Sequence, residues 1–135
     1  MGKRLILQRR GKGSNRFRAS FHGVADVVYT PYSPNQHEGK VIGQVMDLVD
    51  DPTKTGVLAR IKLENNDTMY NYAAEGLYVG QRIEIGKDAA LEIGNIIPVK
   101  HIPEGAPVFN VEIRPGDGGK LVRGSGVYGL VVTKE

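Results

Sequence analysis

The 135-residue sequence contains no cysteine and no tryptophan. Without cysteine, the protein has no disulfide bonds, no thiolate metal ligands and no cysteine nucleophile. No run of about 18 apolar residues occurs, so no membrane-spanning helix is expected. The N-terminus returns to charged residues after Leu5-Ile6-Leu7, which is too short for the apolar core of a secretory signal. Together these absences predict an intracellular, cytoplasmic protein.

Acidic residues are missing from the first 25 positions, although basic residues are frequent there. Residues 24–135 hold eleven basic and fifteen acidic side chains, a balance of −4. Like charges repel one another and resist collapse, so we predict an extended basic arm attached to a mildly acidic body. The arm cations are Lys3, Arg4, Arg9, Arg10, Lys12, Arg16 and Arg18.

The composition of this arm favours a nucleic acid as its partner. The cations alternate with small residues that allow a chain to follow a phosphate backbone, and Phe17, Phe21 and His22 add groups that can stack on bases. A solvated tail that only aids solubility is the alternative. A membrane surface is disfavoured because the arm has no sustained amphipathic apolar face.

Short apolar runs separated by turns fill the rest of the chain and predict an all-β fold. Pro31, Ser33, Pro34 and Asn35 mark a joint after the arm. Four strands of this spacing suggest a small OB-type barrel, and a boundary near residues 99–105 precedes three more strands. The predicted strands cover residues 41–49, 56–64, 68–73, 81–85, 107–113, 120–123 and 128–133.

The glycine-rich loop at residues 115–120 permits two interpretations. Its backbone N–H groups and Lys120 could surround an anion, or its glycines could serve only to supply the positive φ angles of a tight turn. Both interpretations remain open on the sequence alone. The loop is not a Walker motif, because Leu121 follows the lysine where serine or threonine would hold magnesium.

No catalytic, cofactor or metal site emerges from the remaining motifs. Residues 124–129 match G-x-G-x-x-G, but a dinucleotide site needs a strand before the glycines and a helix after them, and here a β-rich stretch follows. His22, His37 and His101 are widely scattered and form no i, i+4 pair. We therefore predict no catalytic residue, no metal and no cofactor.

Four segments closely resemble the second large-subunit ribosomal protein in its archaeal and eukaryotic form. Residues 8–19 resemble the N-terminus of that family, residues 93–98 and 102–112 resemble its inter-domain linker and following strand, and residues 115–126 resemble its glycine-rich loop. The resemblance covers essentially the whole chain, as an N-terminal portion of the family protein.

The resemblance implies a structural constituent of the large ribosomal subunit that binds ribosomal RNA and supports subunit assembly and association. It implies a basic arm and joint at residues 1–36, an OB-type barrel at 37–98 and a partial SH3-like barrel at 99–135. Neighbouring ribosomal proteins are the other expected partners, with no membrane and no small-molecule substrate. The implied RNA contacts are the seven arm cations, Lys120 and Arg123, and we add His22 of the arm to the predicted RNA-binding residues.

The family extends past Glu135 into a glycine- and histidine-rich basic extension that bears the histidine implicated at the catalytic centre. We therefore expect no role for this chain in peptide-bond formation. Two alternatives are kept. One is a small β-barrel enzyme or anion-ligand binder that uses the loop at 115–120. The other is an interaction module that docks a partner chain on exposed strand edges.

Overall fold

The structure is a computed structural model that describes residues 2–31 and 34–134. Ser33, which the sequence places in the joint, lies outside the described residues. No helix within the described part of the chain is long and apolar enough to cross a membrane. The elements are helices α1 (Ile6–Arg10) and α2 (Pro34–Glu38), a 3-10 turn (Val99–His101), and strands β1 (Lys40–Val49), β2 (Leu58–Leu63), β3 (Thr68–Tyr72), β4 (Arg82–Gly86), β5 (Pro107–Val108) and β6 (Gly129–Leu130).

Strands β1 to β4 form one antiparallel sheet in the order β3-β2-β1-β4. The four strands predicted for residues 41–85 are thereby confirmed, and so is the mostly β character of the chain. Strands β3 and β4 are the two edges of the sheet. Beside β4, an isolated parallel bridge joins Ile85 to Ile96. The described residues thus contain no closed barrel, and the expected barrel types are not established by the fold.

Alternation along the strands explains which face of the sheet is buried. In β2 the side chains of Ile61 and Leu63 are buried, whereas those of Arg60 and Lys62 are exposed, as a period of two requires. Strand β3 turns back after Asn66, whose φ of 67° suits a turn and is tolerated by asparagine. The two strands therefore present one apolar face and one polar face.

One apolar cluster on the buried face holds the sheet together. Each strand of the sheet contributes to it, and Tyr29, Val41, Ala73, Leu77 and Ile96 pack against its edge. Burial of such side chains supplies most of the stability of a domain of this size. The buried members of the cluster are Val45, Ala59, Ile61, Leu63, Met69, Ile83 and Ile85.

The strands predicted after residue 105 are much shorter than expected. Only β5 and β6 pair as strands, and an isolated bridge joins Val111 to Leu121. Asn110 and Val122, at φ values of 50° and 57°, flank this bridge and interrupt the extended backbone. The predicted strands at 107–113, 120–123 and 128–133 are corrected accordingly.

The arm is also less uniform than the predicted extended segment. Residues Ile6–Arg10 form one short helix in which the N–H groups of Arg9 and Gly11 donate to the carbonyls of Leu5 and Leu7. A helix this short is marginal in water and packs no buried residue here. The correction concerns local conformation only, since the arm remains exposed along residues 2–16.

Ile83→Ala should lower the free energy of unfolding by about 2–5 kcal/mol, because it leaves a cavity among fully buried side chains. Val132→Ala, at a side chain that is 80% exposed, should change the free energy by less than about 0.5 kcal/mol. Urea unfolding followed by circular dichroism measures both values. Equal effects of the two substitutions would contradict the assignment of this core.

Candidate nucleic-acid interface

The arm presents its cations to solvent. None of the seven basic side chains forms an ion pair with any residue that the structure describes. Their charge is therefore not neutralised by a described carboxylate and remains available to an anionic partner. The predicted site residues of the arm, all exposed, are Lys3, Arg4, Arg9, Arg10, Lys12, Arg16, Arg18 and His22.

The two phenylalanines of the arm gather some of these cations. The guanidinium carbons of Arg10 and Arg16 lie 5.9 and 5.7 Å from the Phe17 ring centre, and that of Arg18 lies 5.5 Å from the Phe21 ring centre. Exposed cation–π contacts of this kind contribute roughly 0.5–1 kcal/mol. They bring charge and aromatic surface into the same short segment.

A buried carboxylate fixes the end of the arm to the body. Asp51 is fully buried and accepts hydrogen bonds from the Val24 N–H at 2.7 Å, from the Thr53 N–H at 2.7 Å and from the Thr53 hydroxyl at 2.6 Å. The Lys54 ammonium also lies 3.1 Å from Asp51 Oδ2. Val24 directly follows the basic segment, so this contact attaches the C-terminal end of the arm to the body.

The pKa of Asp51 is strongly lowered. The hydrogen bond from the Thr53 hydroxyl is the largest cause; burial opposes it, and the backbone N–H donors and Lys54 reinforce it. The charged form of Asp51 is thus the form that holds the arm. The sequence places Asp51 beside a turn but gives no sign of this anchoring role.

A second polar junction joins the arm, the sheet and the C-terminal segment. The side chain of Asn110 is buried, and its Nδ2 donates to Asn71 Oδ1 of β3 at 2.8 Å. Its Oδ1 accepts from Arg123 Nε at 2.9 Å, and its carbonyl accepts from the Tyr29 hydroxyl at 2.7 Å. Burial, followed by the charge of Glu112, raises the pKa of Tyr29 to about 12.

Arg123 therefore has partners within the chain. Besides Asn110, its guanidinium donates to the Val27 carbonyl and lies 5.4 Å from the Tyr72 ring centre. The side chain is half-buried, unlike the cations of the arm. Arg123, named from the resemblance as an RNA contact, is held in this structure as a cross-link between residues 27, 72 and 110.

Carboxylates of the chain itself occupy the glycine-rich loop. Glu112 accepts hydrogen bonds from the N–H groups of Gly116 at 3.2 Å and Gly118 at 3.0 Å. Asp117 accepts three more, from the N–H groups of Ile113, Arg114 and Gly119. The N–H groups that could have surrounded an external anion are thus already satisfied.

Lys120 is the cation of this loop that remains at the surface. Its backbone N–H donates to the Val111 carbonyl at 2.9 Å, whereas its side chain is exposed. Burial alone would raise the pKa of Asp117, but hydrogen bonds from three backbone N–H groups and the charge of Lys120 lower it. The geometry therefore favours a tight turn that carries one exposed lysine.

Metal-ligating side chains do not gather in the residues described, where no group of three histidine or carboxylate ligands occurs. His22 and His101 are exposed. The stretch at 124–129 leads into β6 and not into a helix, so the dinucleotide interpretation finds no geometric support.

Comparison with known proteins identifies a family likeness along the whole chain. Residues 92–135 match the family model described as Ribosomal Proteins L2, C-terminal domain. The large ribosomal subunit protein uL2 of Hyperthermus butylicus is 53% identical over 133 residues, which cover 98% of this chain and 54% of that protein. The uL2 proteins of Methanothermobacter thermautotrophicus and Methanosphaera stadtmanae are each 43% identical over 136 residues, covering 100% of this chain and 56% of each relative. The chain therefore belongs to the uL2 family of large-subunit ribosomal proteins, as its sequence suggested, and it spans about half the length of these curated relatives.

Gly118→Ala should destabilise the protein more than Gly116→Ala. Both glycines have φ near 85°, but a Cβ on Gly118 would overlap with Val28 Cγ1, whereas no atom lies within 4 Å of a Cβ on Gly116. We expect a loss of about 1 kcal/mol for Gly116→Ala from the backbone conformation, and about 1–3 kcal/mol more for Gly118→Ala from overpacking. Thermal unfolding measures both; equal losses would contradict the close approach of loop and residue 28.

Acidification should weaken the attachment of the arm through Asp51. Because folding lowers its pKa, Asp51 contributes stability that is fully present above its ordinary pKa of about 3.9 and is lost as pH falls toward the lower folded value. Asp51→Asn removes this contribution, so the variant should be less stable than the parent at pH 7. The difference in free energy of unfolding between the parent and Asp51→Asn should narrow below about pH 4.

Urea unfolding at pH 7, 4 and 3 measures this difference, with Asp50→Asn as the matched control, since Asp50 is exposed. Other carboxylates, such as Glu84, also have a lowered pKa and affect both proteins equally. A constant difference between Asp51→Asn and the parent at all three pH values would show that the carboxylate charge does not hold the arm.

Proposed function

Since the chain is similar along its entire length to about half of the large ribosomal subunit protein uL2, we propose that it binds ribosomal RNA as a structural constituent of the large subunit. On this proposal the protein supports subunit assembly and association and performs no catalysis. Its location is the ribosome, in the cytoplasm. Its partners are large-subunit ribosomal RNA and neighbouring ribosomal proteins, and it needs no membrane, small-molecule substrate or cofactor.

The exposed arm is the observation that carries this proposal. Seven cations without an acidic neighbour occupy residues 1–23, and none of them is paired with a described carboxylate. Phosphate contacts by such side chains release counterions and supply affinity that does not depend on base sequence. The arm would follow the RNA backbone, and Phe17 and Phe21 would contact unstacked bases.

The body would position this arm. Asp51 fixes Val24, and the Asn110 junction fixes the segment that follows, so the arm emerges from a defined point. We assign phosphate contact to the arm cations, His22 and the exposed Lys120. Arg123 is assigned the role of holding the loop, because its guanidinium is already bonded within the chain.

The finer fold assignment is part of this proposal. An OB-type barrel at residues 37–98 is supported by the antiparallel four-stranded sheet, and a partial SH3-like barrel at 99–135 is supported by the match of residues 92–135 to a C-terminal domain family. In this arrangement both units contact RNA. The boundary between them lies between residues 98 and 99, where the 3-10 turn begins.

The rival function, an anion-ligand binder at residues 115–120, is disfavoured by the geometry of the loop. Glu112 and Asp117 bring negative charge into it and accept from the N–H groups that an anion would need. An anion entering this loop would face two carboxylates, whose charge offsets the exposed cations Arg114 and Lys120 beside them.

The experiment that tests the proposed function is binding of the full chain to large-subunit ribosomal RNA fragments across a salt series, with tRNA as competitor. Tight binding that tRNA cannot displace supports the proposal. A logarithmic salt slope approaching about six is expected if all seven arm cations meet phosphate. Equal displacement by tRNA would contradict specific recognition and leave only a general polyanion binder.

Replacing Arg9, Arg10 and Lys12 together by alanine should weaken this binding and flatten the salt slope by about two to three, since each lost phosphate contact removes about 0.7–0.9 from it. A matched control replaces three exposed cations of the body, Lys87, Lys100 and Arg114, by alanine. The control variant has the same net charge as the arm variant, but the salt slope of its RNA binding should be steeper than that of the arm variant. Identical slopes for the two triple variants would refute the role of the arm.

A further inference from the structure

The outward face of strands β2 and β3 combines cations with an aromatic ring. Arg60 and Lys62 alternate with the buried residues of β2, and Tyr70 alternates with the buried Met69 and Asn71 of β3. The register pairs Arg60 directly with Tyr70. Directly opposite residues of an antiparallel pair have Cβ atoms about 5 Å apart, so the guanidinium and the ring share one small area of surface.

A shallow concavity covers this area. Its rim also includes Met46, which lies at the irregularity in the β1–β2 register between Val45 and Asp47 and is 45% exposed. A bulge of this kind redirects side chains locally, and here it leaves an apolar thioether beside the cations. The lining residues are Met46, Arg60, Lys62, Asn66, Thr68 and Tyr70.

Two cations on this face are accessible to the phosphates of a ligand. Arg60 lies 3.9 Å from Asp47, and both side chains are about half exposed, so this ion pair is weak in water. Lys62 forms no ion pair with a described residue. Two cations thus lie near the ring, and Asp47 partly offsets Arg60. The exposed Glu64 and Asp67 lie at the turn end of the strands beyond Lys62.

The Tyr70 ring is partly exposed, and it differs from the neighbouring tyrosine of β3 in what covers it. Tyr72 shares the outward face of β3 with Tyr70, and the guanidinium of Arg123 lies 5.4 Å from its ring centre. No cation lies over the Tyr70 ring among the residues described. The same sheet face therefore contains one tyrosine already covered by a planar group and one that is available.

We propose that this face, centred on Tyr70, binds unpaired nucleotides of RNA. A base would stack on the Tyr70 ring with Met46 beside it, while Lys62 and Arg60 contact the adjoining phosphates. Aromatic stacking flanked by basic groups is how proteins bind single strands without relying on base sequence. The inference rests on the proposed function and deepens it, because it adds a stacking site on the body to the phosphate contacts of the arm.

The face suits unpaired nucleotides better than duplex RNA. A stacking ring needs a base whose flat face is accessible, and in an A-form duplex the bases are stacked on one another. The arm, in contrast, needs only phosphates and would bind either form. Substitution at Tyr70 should consequently affect single-stranded RNA and leave duplex binding nearly unchanged.

Photocross-linking of the full chain locates the stacking site directly. The probe is a single-stranded ten-nucleotide RNA containing 5-iodouridine, which on irradiation forms covalent bonds preferentially to stacked aromatic side chains. Peptide mapping should recover a cross-link at Tyr70. Cross-links confined to Phe17 and Phe21 would overturn the inference, and this experiment does not depend on any variant folding.

Binding of the same RNA to variants measures the contribution of the face. Tyr70→Val keeps a good strand former and should weaken binding on the order of 10-fold, with the salt slope unchanged, because stacking releases no counterions. Tyr70→Phe should keep near-parental affinity. Tyr128→Val, at a tyrosine that is 66% exposed, is the matched control and should have no effect. Equal losses for Tyr70→Val and Tyr128→Val would refute the site.

Three further results separate this inference from the proposed function and from a protein ligand. If ribosomal RNA binding is displaced by tRNA while the Tyr70 effects persist, the proposed function fails and the stacking site stands. If the arm variant shows the expected flatter salt slope but Tyr70→Val binds RNA normally, the stacking site fails alone. Polyglutamate that competes equally well with the parent and with Tyr70→Val would show that only charge is recognised, which also overturns it.

Discussion

The buried side chain of Asn110 is the contact on which the arrangement of the three parts of the chain depends. Its side-chain nitrogen donates to Asn71 in the sheet and its side-chain oxygen accepts from Arg123, while the backbone carbonyl of the same residue accepts from the Tyr29 hydroxyl. A buried carboxamide left without these partners would cost roughly 1–3 kcal/mol for each unsatisfied group. The junction is therefore stable only when sheet, C-terminal segment and arm base are all in place.

This junction and the Asp51 anchor divide the chain into a positioned body and a free arm. The cations of the arm precede the anchored residue Val24 and project into solvent. None of them is paired with a carboxylate among the residues described. Segregating charge in this way keeps the arm available to a polyanion, while the body, which carries most of the acidic residues, has its own internal ion pairs and hydrogen bonds. The same logic explains why Glu112 and Asp117 satisfy the glycine-rich loop internally, since those N–H groups would otherwise be unpaired in a tight turn.

Local sequence patterns predicted β1 to β4 well, because alternation of apolar and polar residues depends only on neighbours and on one buried face. They failed for residues 107–133, where the backbone at Asn110 and Val122 adopts positive φ in response to long-range bonds. The family resemblance implied an RNA contact for Arg123, whereas the structure brings the partners at residues 27 and 110 beside its guanidinium. The candidate stacking site at Tyr70 was missed for a related reason: its members come from three strands, and only the register between those strands unites them.

The sequence by itself determined the basic arm, the excess of short strands, the absence of thiol chemistry and the likeness to a ribosomal protein family. These properties follow from composition, charge order and local periodicity, which do not depend on how distant segments meet. Only the tertiary structure decided which cations are free and which are structural, and which glycine-loop N–H groups are already occupied. Availability to a partner is a property of burial and of long-range hydrogen bonding, and both arise when residues far apart in the chain are brought together.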